Sequence, residues 1–186
     1  MTDKLLRSLL ILGTLWATVG SIQAANPASV PVIKDFHANW ARDPAYIDEL
    51  SRDTNPRYAA NKRLVLEFEA ALERAQSVAA DGPGSFPQVV EQYLSPDYVQ
   101  NDPSFPPGRD GLLGFFKMIQ KSGEHVSHPP VMVVAEGDLV VLTMRRPPQP
   151  DPDQPSQTYA AYRIAIWRVC DHKLCEHWGP GLKGRP

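Results

Sequence analysis

The chain lacks the features that mark several large classes of protein. It has only two cysteines in 186 residues, and its 19 basic and 21 acidic residues give a formal charge of -2. This balance provides no basic face, so we do not expect a nucleic-acid partner. The longest apolar run, residues 5–19, is interrupted by Gly13, Thr14 and Thr18. It falls short of the ~20 residues that a transmembrane helix needs.

That run has the form of an export signal. Lys4 and Arg7 form a basic start, and Ser21 to Ala24 form a small-residue exit, which predicts cleavage after Ala24 or Ala25. No cysteine lies near the exit, so we do not expect a lipid anchor. We therefore expect a periplasmic or secreted protein that has no contact with a membrane after cleavage. About 160 residues remain, enough for one compact domain.

Two helix-start signals open the mature chain. Asp43-Pro44 predicts a short helix to about Arg52, and Asn55-Pro56 precedes the longest periodic segment. In that segment the apolar residues recur at helical spacing and are Leu64, Val65, Phe68, Ala71, Leu72 and Ala75. The charged residues on the other side are Lys62, Arg63, Glu67, Glu69, Glu73 and Arg74. This pattern predicts an amphipathic helix that lies across a sheet.

Helices give way to strands in the second half. One further helix should end before Ser95-Pro96 and another should begin near Arg109. From Val131 onward the segments VMVVAEG, DLVVLTMRR, TYAAYRIAIWRV and KLCEHW are typical of strands. This order predicts an α+β protein with helices on one face of a bent antiparallel sheet that wraps into a cone. We predict the boundaries 1–24 signal, 25–54 arm with a short helix, 55–182 domain and 183–186 tail.

The two cysteines flank a turn. If Asp171-His172 is a two-residue turn, Cys170 lies opposite Lys173 and about 7 Å or more from Cys175, beyond comfortable bridging distance. A four-residue loop would place the two cysteines face to face, so the disulfide stays open at this point. A zinc site formed by Cys170, His172, Cys175 and His177 matches no common spacing, and we expect no metal or other cofactor.

Three segments carry a resemblance to a known family: YVQNDPSFPPGRDGLLGFF (98–116), AEGDLVV (135–141) and IWRVCDHKLCEHW (166–178). They resemble the SnoaL-like branch of the nuclear transport factor 2-like superfamily, over roughly Asn61 to Trp178. The resemblance implies a cone-shaped sheet with about three helices on its concave face and a mainly apolar pocket for a small organic ligand. It implies cofactor-independent isomerase, lyase or cyclase chemistry. The alternative is a non-catalytic binding or dimerisation module.

The resemblance also shows where this chain departs from its family. It implies that positions 141, 143 and 145 line the cone together with 161, 163, 165 and 167. Histidines are common in the family at the positions of Thr143 and Arg145, and an acid/base carboxyl stands at that of Ala165. The aspartate after EHW is Gly179 here, and the family's His-Asn is Asn101-Asp102; His177 is retained. Because alanine cannot move a proton, the family's mechanism cannot simply be carried over.

We predict Asp102 and His177 as the base and acid that replace it. The alternatives are an Asx turn or helix cap at Asp102 before Pro103 and a hydrogen-bonded wall residue at His177. The residues that we expect to bind the ligand are Tyr98, Asn101, Thr143, Arg145, Tyr162, Ala165, Trp167 and Trp178. His125 and His128 are expected in a solvent-exposed loop.

Arg145 bears on the choice of ligand. An arginine on the inner face of an apolar cone must be paired or must reach solvent. It either forms a salt bridge with Asp102, extends to solvent at the rim, or holds the carboxylate of an anionic ligand.

The open outer face of the sheet predicts a homodimer.

Overall fold

The computed structural model describes residues 29–33 and 37–179. The helices are a 3₁₀ turn Trp40–Arg42, α1 Pro44–Ser51, α2 Pro56–Ala75, α3 Phe86–Tyr93 and α4 Gly108–Ser122. The strands are β1 Leu94–Gln100, β2 Pro130–Glu136, β3 Leu139–Arg145, β4 Gln149–Pro150, β5 Thr158–Tyr159, β6 Tyr162–Cys170 and β7 Lys173–Trp178. Across this part of the chain, no helix is long and apolar enough to cross a membrane. The predicted signal, residues 1–24, and the tail lie outside the described residues.

Both predicted helix starts are confirmed. The Asp43 side chain accepts a hydrogen bond from the Ala45 backbone N–H at 3.0 Å, and Asn55 accepts one from Arg57 N–H at 2.9 Å. Each cap is followed by a proline in the first turn, where the missing N–H costs no hydrogen bond. The local sequence therefore sets where α1 and α2 begin.

The predicted α+β class and bent sheet are confirmed, with one correction to the strand directions. The main sheet has the order β1-β7-β6-β3-β2, and its strands are antiparallel except that β1 runs parallel to β7. Parallel pairing is open to β1 because α4 and five strands, not a tight turn, connect it to β7. Its position at the edge also tolerates Pro96 within the strand.

Helix α2 is buried on more sides than its pattern predicts. Lys62 and Glu73, expected opposite the core, are 2% and 6% exposed. The reason is the N-terminal arm, because α1 and the 3₁₀ turn pack against α2 on that side. Lys62 Nζ lies 2.8 Å from Asp53 Oδ2, and Trp40 Nε1 donates to Glu73 Oε2 at 2.5 Å. Both charged groups are thus paired within the protein.

The β6–β7 hairpin contains both a two-residue turn and a disulfide. Asp171 and His172 have φ values of 46° and 61°, and Cys170 pairs with Lys173. The separation expected from this turn is wrong, because Cys175 is an extra residue in a β-bulge between the pairs Val169–Leu174 and Arg168–Glu176. The Cα atoms of Cys170 and Cys175 are 5.8 Å apart, and their sulfurs are bonded.

The bulge also decides which β7 side chains face the interior. Leu174 and His177 are three positions apart, yet both are buried. Regular alternation would place them on opposite faces of the sheet. The extra residue therefore turns His177 inward, opposite Trp167.

Candidate functional site

A cavity of about 240 Å³ lies between helices α2 and α4 and the inner face of β6 and β7. Its apolar lining residues are Trp40, Leu72, Phe105, Leu112, Phe115, Phe116, Ile119, Val126 and Trp167. Its polar lining residues are Glu69, Glu73, Gln76, His128, Arg163 and His177. A mainly apolar wall with a few polar groups is the usual form of a site for a small organic molecule.

Glu69 places a carboxyl group in this cavity from α2. Trp167 Nε1 donates a hydrogen bond to Glu69 Oε1 at 3.0 Å. Burial raises the pKa of Glu69, and the opposing effects of the Arg163 charge and the Trp167 hydrogen bond do not cancel the rise. A carboxyl with a raised pKa can take up and release a proton nearer to neutral pH than an exposed one.

Two neighbouring side chains of α2 fix the segment that leads into β2. Gln76 forms two hydrogen bonds with the backbone of Val126, each of 2.7 Å, and Ser127 Oγ donates to Glu73 at 3.0 Å. These contacts bring His128 to the cavity wall, so the prediction of a solvent-exposed His128 is wrong. Burial, with the charges of Arg163 and Arg146, lowers the pKa of His128 to about 4. His128 is therefore neutral at pH 7.

The hydrogen bonds around His177 define its tautomer. Gln100 Oε1 accepts from the Asp102 backbone N–H at 2.9 Å, which fixes the orientation of the Gln100 amide. The same oxygen lies 2.8 Å from His177 Nδ1, so Nδ1 must carry the proton. In the neutral ring, Nε2 is then an acceptor. It is buried without a hydrogen-bond partner in the described part of the chain.

We expect His177 to stay neutral, with its proton on Nδ1, throughout pH 5 to 8. Burial and the nearby charge of Arg163 lower its pKa to about 3, although Asp102 opposes them. The unfolded chain takes up this proton at a higher pH than the folded protein does. The free energy of unfolding therefore decreases as the pH falls from about 6.5 toward 3. Nitrogen-15 NMR of the imidazole checks both points. A protonated Nε2 at pH 7 would contradict the assignment.

The comparison with protein families decides the classification. Residues 84–177 match the model of the SnoaL-like domain, which is half of the chain. The chain belongs to the SnoaL-like family. A search of curated proteins finds no match.

Several solved structures are similar to this SnoaL-like protein. TsrD from Streptomyces laurentii is 23% identical, with 65% of this chain and 87% of that chain covered and a TM-score of 0.45. A candidate SnoaL-like polyketide cyclase from Jannaschia sp. CCS1 is 20% identical, with 69% and 91% covered and a TM-score of 0.48. A candidate polyketide cyclase from Xanthomonas campestris is 18% identical, with 64% and 88% covered and a TM-score of 0.47.

The SnoaL-like cavity contains only part of the predicted site. Trp167 and His177 line it. Tyr98, Asp102 and Ala165 are buried but do not line it. Tyr98 lies behind the wall, with its ring centre 6.2 Å from that of Trp167 and its hydroxyl accepting from Gln100 Nε2 at 2.9 Å.

Thr143, Arg145 and Tyr162 lie on the other face of the sheet, which corrects their predicted positions. In the β3–β6 pairing, Met144 is opposite Arg163, Leu142 is opposite Ala165 and Val140 is opposite Trp167. Directly paired residues share a face, so even-numbered residues of β3 accompany odd-numbered residues of β6. The predicted inner face instead combined odd-numbered residues of both strands, namely 141, 143 and 145 with 161, 163, 165 and 167. Arg145 pairs with Tyr162, and with Thr143 they border a shallow outer depression.

Asn101 and Trp178 also lie away from the cavity. Asn101 is exposed and donates to Glu176 Oε1 at 3.0 Å, and the ring of Trp178 contacts Arg168, whose guanidinium carbon is 5.5 Å from the ring centre. Asp102 forms the predicted alternative, an Asx turn, because its Oδ1 accepts from Ser104 N–H at 2.8 Å.

The sequence interpretation missed Glu69 and Arg163 as site residues. Glu69, Leu72, Glu73 and Gln76 have the spacing of one helix face, which is the signal that could have identified the carboxyl group. Alternation predicts position 163 on the inner face, but the resemblance points to Arg145 as the arginine of the cone. Within residues 29–33 and 37–179, no cluster of three or more His, Cys, Asp or Glu side chains could hold a metal ion.

Proposed function

We propose that the cavity binds a small, mainly apolar organic molecule with a carbonyl group, and that Glu69 transfers a proton next to that carbonyl. The observation that carries this proposal is the Glu69 carboxyl in the lining of a mainly apolar cavity, where burial raises its pKa. Ionised Glu69 is the general base, and its conjugate acid returns the proton. The reaction class is isomerisation, lyase or cyclase chemistry that begins with an enolate.

The proposed step balances without an oxidant. Glu69 takes a proton from the carbon beside the carbonyl, and the electrons of that C–H bond form the carbon–carbon double bond of an enolate. The negative charge moves to the carbonyl oxygen, where a positive guanidinium such as that of Arg163 stabilises it. Where the substrate has a carbon–carbon double bond one position further from the carbonyl, the product of this step is a dienolate, and return of the proton to its far carbon completes an isomerisation.

A non-catalytic binding protein is the second candidate. Ala165, at the position of the family's acid/base group, is fully buried among core residues and cannot exchange a proton. In this alternative the cavity holds the ligand, and Glu69 serves as a hydrogen-bonding wall residue.

Hydrogen exchange of a model ketone separates the two candidates. With 2-tetralone in deuterated buffer, we expect the wild-type protein to accelerate exchange of the protons beside the carbonyl, more strongly as pH rises above the ordinary carboxyl range. Glu69→Gln should slow the protein-dependent exchange by about 100-fold or more. Glu67→Gln is the matched control, since Glu67 lies on the same helix with 42% of its side chain exposed.

The outcomes are distinct. Acceleration that survives in Glu69→Gln would show that another group is the base, with Asp102 and His177 as the next residues to test. Binding of the ketone without acceleration would favour the non-catalytic alternative. Absence of binding to any carbonyl compound of this size would contradict the proposed function.

The proposal also includes export and a homodimer. Cleavage after Ala24 or Ala25 is supported by the sequence alone, and intact Met1 on exported protein, measured by mass spectrometry, would contradict it.

The dimer is supported by the exposed outer face of the sheet, where Tyr162 and Ile164 are 54% and 50% exposed. Light scattering that gives a monomer mass at micromolar concentration would contradict it.

A further inference from the structure

Arg163 carries an unused hydrogen-bond donor at the cavity. It lies on the inner face of β6, and its Nε is buried without a hydrogen-bond partner among the described residues. Its guanidinium carbon is 5.6 Å from the ring centre of Phe105. A cation–π contact offsets part of the cost of burying a guanidinium but does not satisfy the N–H group.

His177 supplies an unused acceptor at the same wall. The residue is 2% exposed, and its Nδ1 is occupied by Gln100, so Nε2 is the free position of the ring. The Phe105 ring lies against both groups, with its centre 6.2 Å from that of His177. One aromatic residue thus covers an unpaired donor and an unpaired acceptor.

Burial shifts the pKa values of the other ionisable groups of the cavity toward their neutral forms. Burial raises the pKa of Glu69 and of Glu73, which favours their neutral forms. Burial also lowers the pKa of His128 and of His177 to about 4 and about 3, so both are neutral at pH 7. Arg163, which keeps its charge at every physiological pH, is therefore the lining residue that can pair with a carboxylate.

We infer that the ligand has an aromatic body that carries, besides the carbonyl next to which Glu69 acts, a carboxylate that accepts from Arg163 Nε and a hydroxyl that donates to His177 Nε2 once the Phe105 ring turns aside. The aromatic body is supported by the rings of Phe115, Phe116 and Trp167 in the lining. The inference rests on the proposed function, because it names the class of molecule that the same cavity takes.

Three matched probes test the inference: 4-hydroxy-2-naphthoate, whose hydroxyl cannot bond to its own carboxylate, 2-naphthoate and 2-naphthamide. By titration calorimetry at pH 7.5, we expect 2-naphthoate to bind the wild-type protein about tenfold or more tightly than the amide. The added hydroxyl should improve affinity by about fivefold. Arg163→Met should remove the preference for the carboxylate, Arg163→Lys should keep part of it, and His177→Leu should remove only the gain from the hydroxyl.

Arg145→Met is the control, since it removes an arginine from the neighbouring strand on the opposite face and should leave all three affinities unchanged. Equal binding of acid and amide by the wild-type protein would overturn the inference even if Arg163→Met fails to fold. An equal loss for both probes in Arg163→Met would also overturn it. Failure of every naphthalene probe, the amide included, would overturn the proposed function itself, whereas tight binding without discrimination would overturn the inference alone.

Discussion

Replacing Gly179 with aspartate is expected to lower the free energy of unfolding by about 3 kcal/mol or more, although the family often has aspartate there. A Cβ atom at position 179 would overlap the carboxyl group of Asp102 and would lie 2.9 Å from its Cβ. Asp102 is 2% exposed and held by its Asx turn, so it cannot easily move away. Urea unfolding of Gly179→Asp and Gly179→Ala measures the effect.

The same geometry predicts a rescue. Asp102 occupies the space beside His177 that a side chain at position 179 would need, so the two positions are alternatives for one carboxyl group. Asp102→Gly combined with Gly179→Asp should recover more than half of the lost stability. Gly114→Ala is the control, since no atom beyond its chain neighbours and its own helix backbone lies within 4 Å of its Cβ position, and it should be neutral or stabilising. Additive losses in the double variant would contradict this interpretation.

Removing the partner of Lys62 is the second change with a large expected effect. Lys62 Nζ is bound by Asp53 Oδ2 at 2.8 Å and by the Arg52 carbonyl at 3.2 Å, and its side chain is 2% exposed. Asp53→Ala leaves a buried ammonium group without its counter-charge, so we expect a loss of about 3 kcal/mol in the free energy of unfolding. Thermal and urea unfolding are the measurements.

The control variants isolate the cause of that loss. Lys62→Met with Asp53→Ala removes both charges and should be much more stable than Asp53→Ala alone. Glu49→Ala breaks the exposed Arg52–Glu49 pair and should cost about 0.5 kcal/mol or less. The hydrogen bond from Lys62 lowers the pKa of Asp53, so the contribution of the pair is present above pH 3.8 and is lost as the pH falls through the folded-state pKa. A loss that does not decrease in acid would contradict the assignment.

Local signals in the sequence were sufficient wherever one residue and its immediate neighbours decide the structure. The caps Asp43 and Asn55 and the alternation along β3 and β6 were predicted and are found, and the two-residue turn at Asp171-His172 was one of the two alternatives for that hairpin. Each depends on hydrogen bonds or dihedral angles within a few residues. For the same reason the Asx turn at Asp102 was among the alternatives.

Register between strands could not be obtained in this way. Alternation shows that 141, 143 and 145 share a face, but which face is inside depends on the pairing of β3 with β6. Alternation and the family resemblance predict Arg145 as the cavity arginine, whereas the pairing places Arg163 there. In the same manner, the bulge at Cys175 sets both the disulfide and the inward direction of His177.

The sequence by itself determined the α+β class, the SnoaL-like membership, the starts of the helices and the retained His177. Only the tertiary structure decided that Lys62 and Glu73 are buried, because the N-terminal arm covers a side of α2 whose pattern predicts solvent exposure. Only the tertiary structure, too, placed Glu69 beside Trp167 in the cavity. The sequence around a charged residue does not indicate which distant segment will pack over it. Its burial, and therefore its pKa and its chemistry, is set by segments distant in the chain.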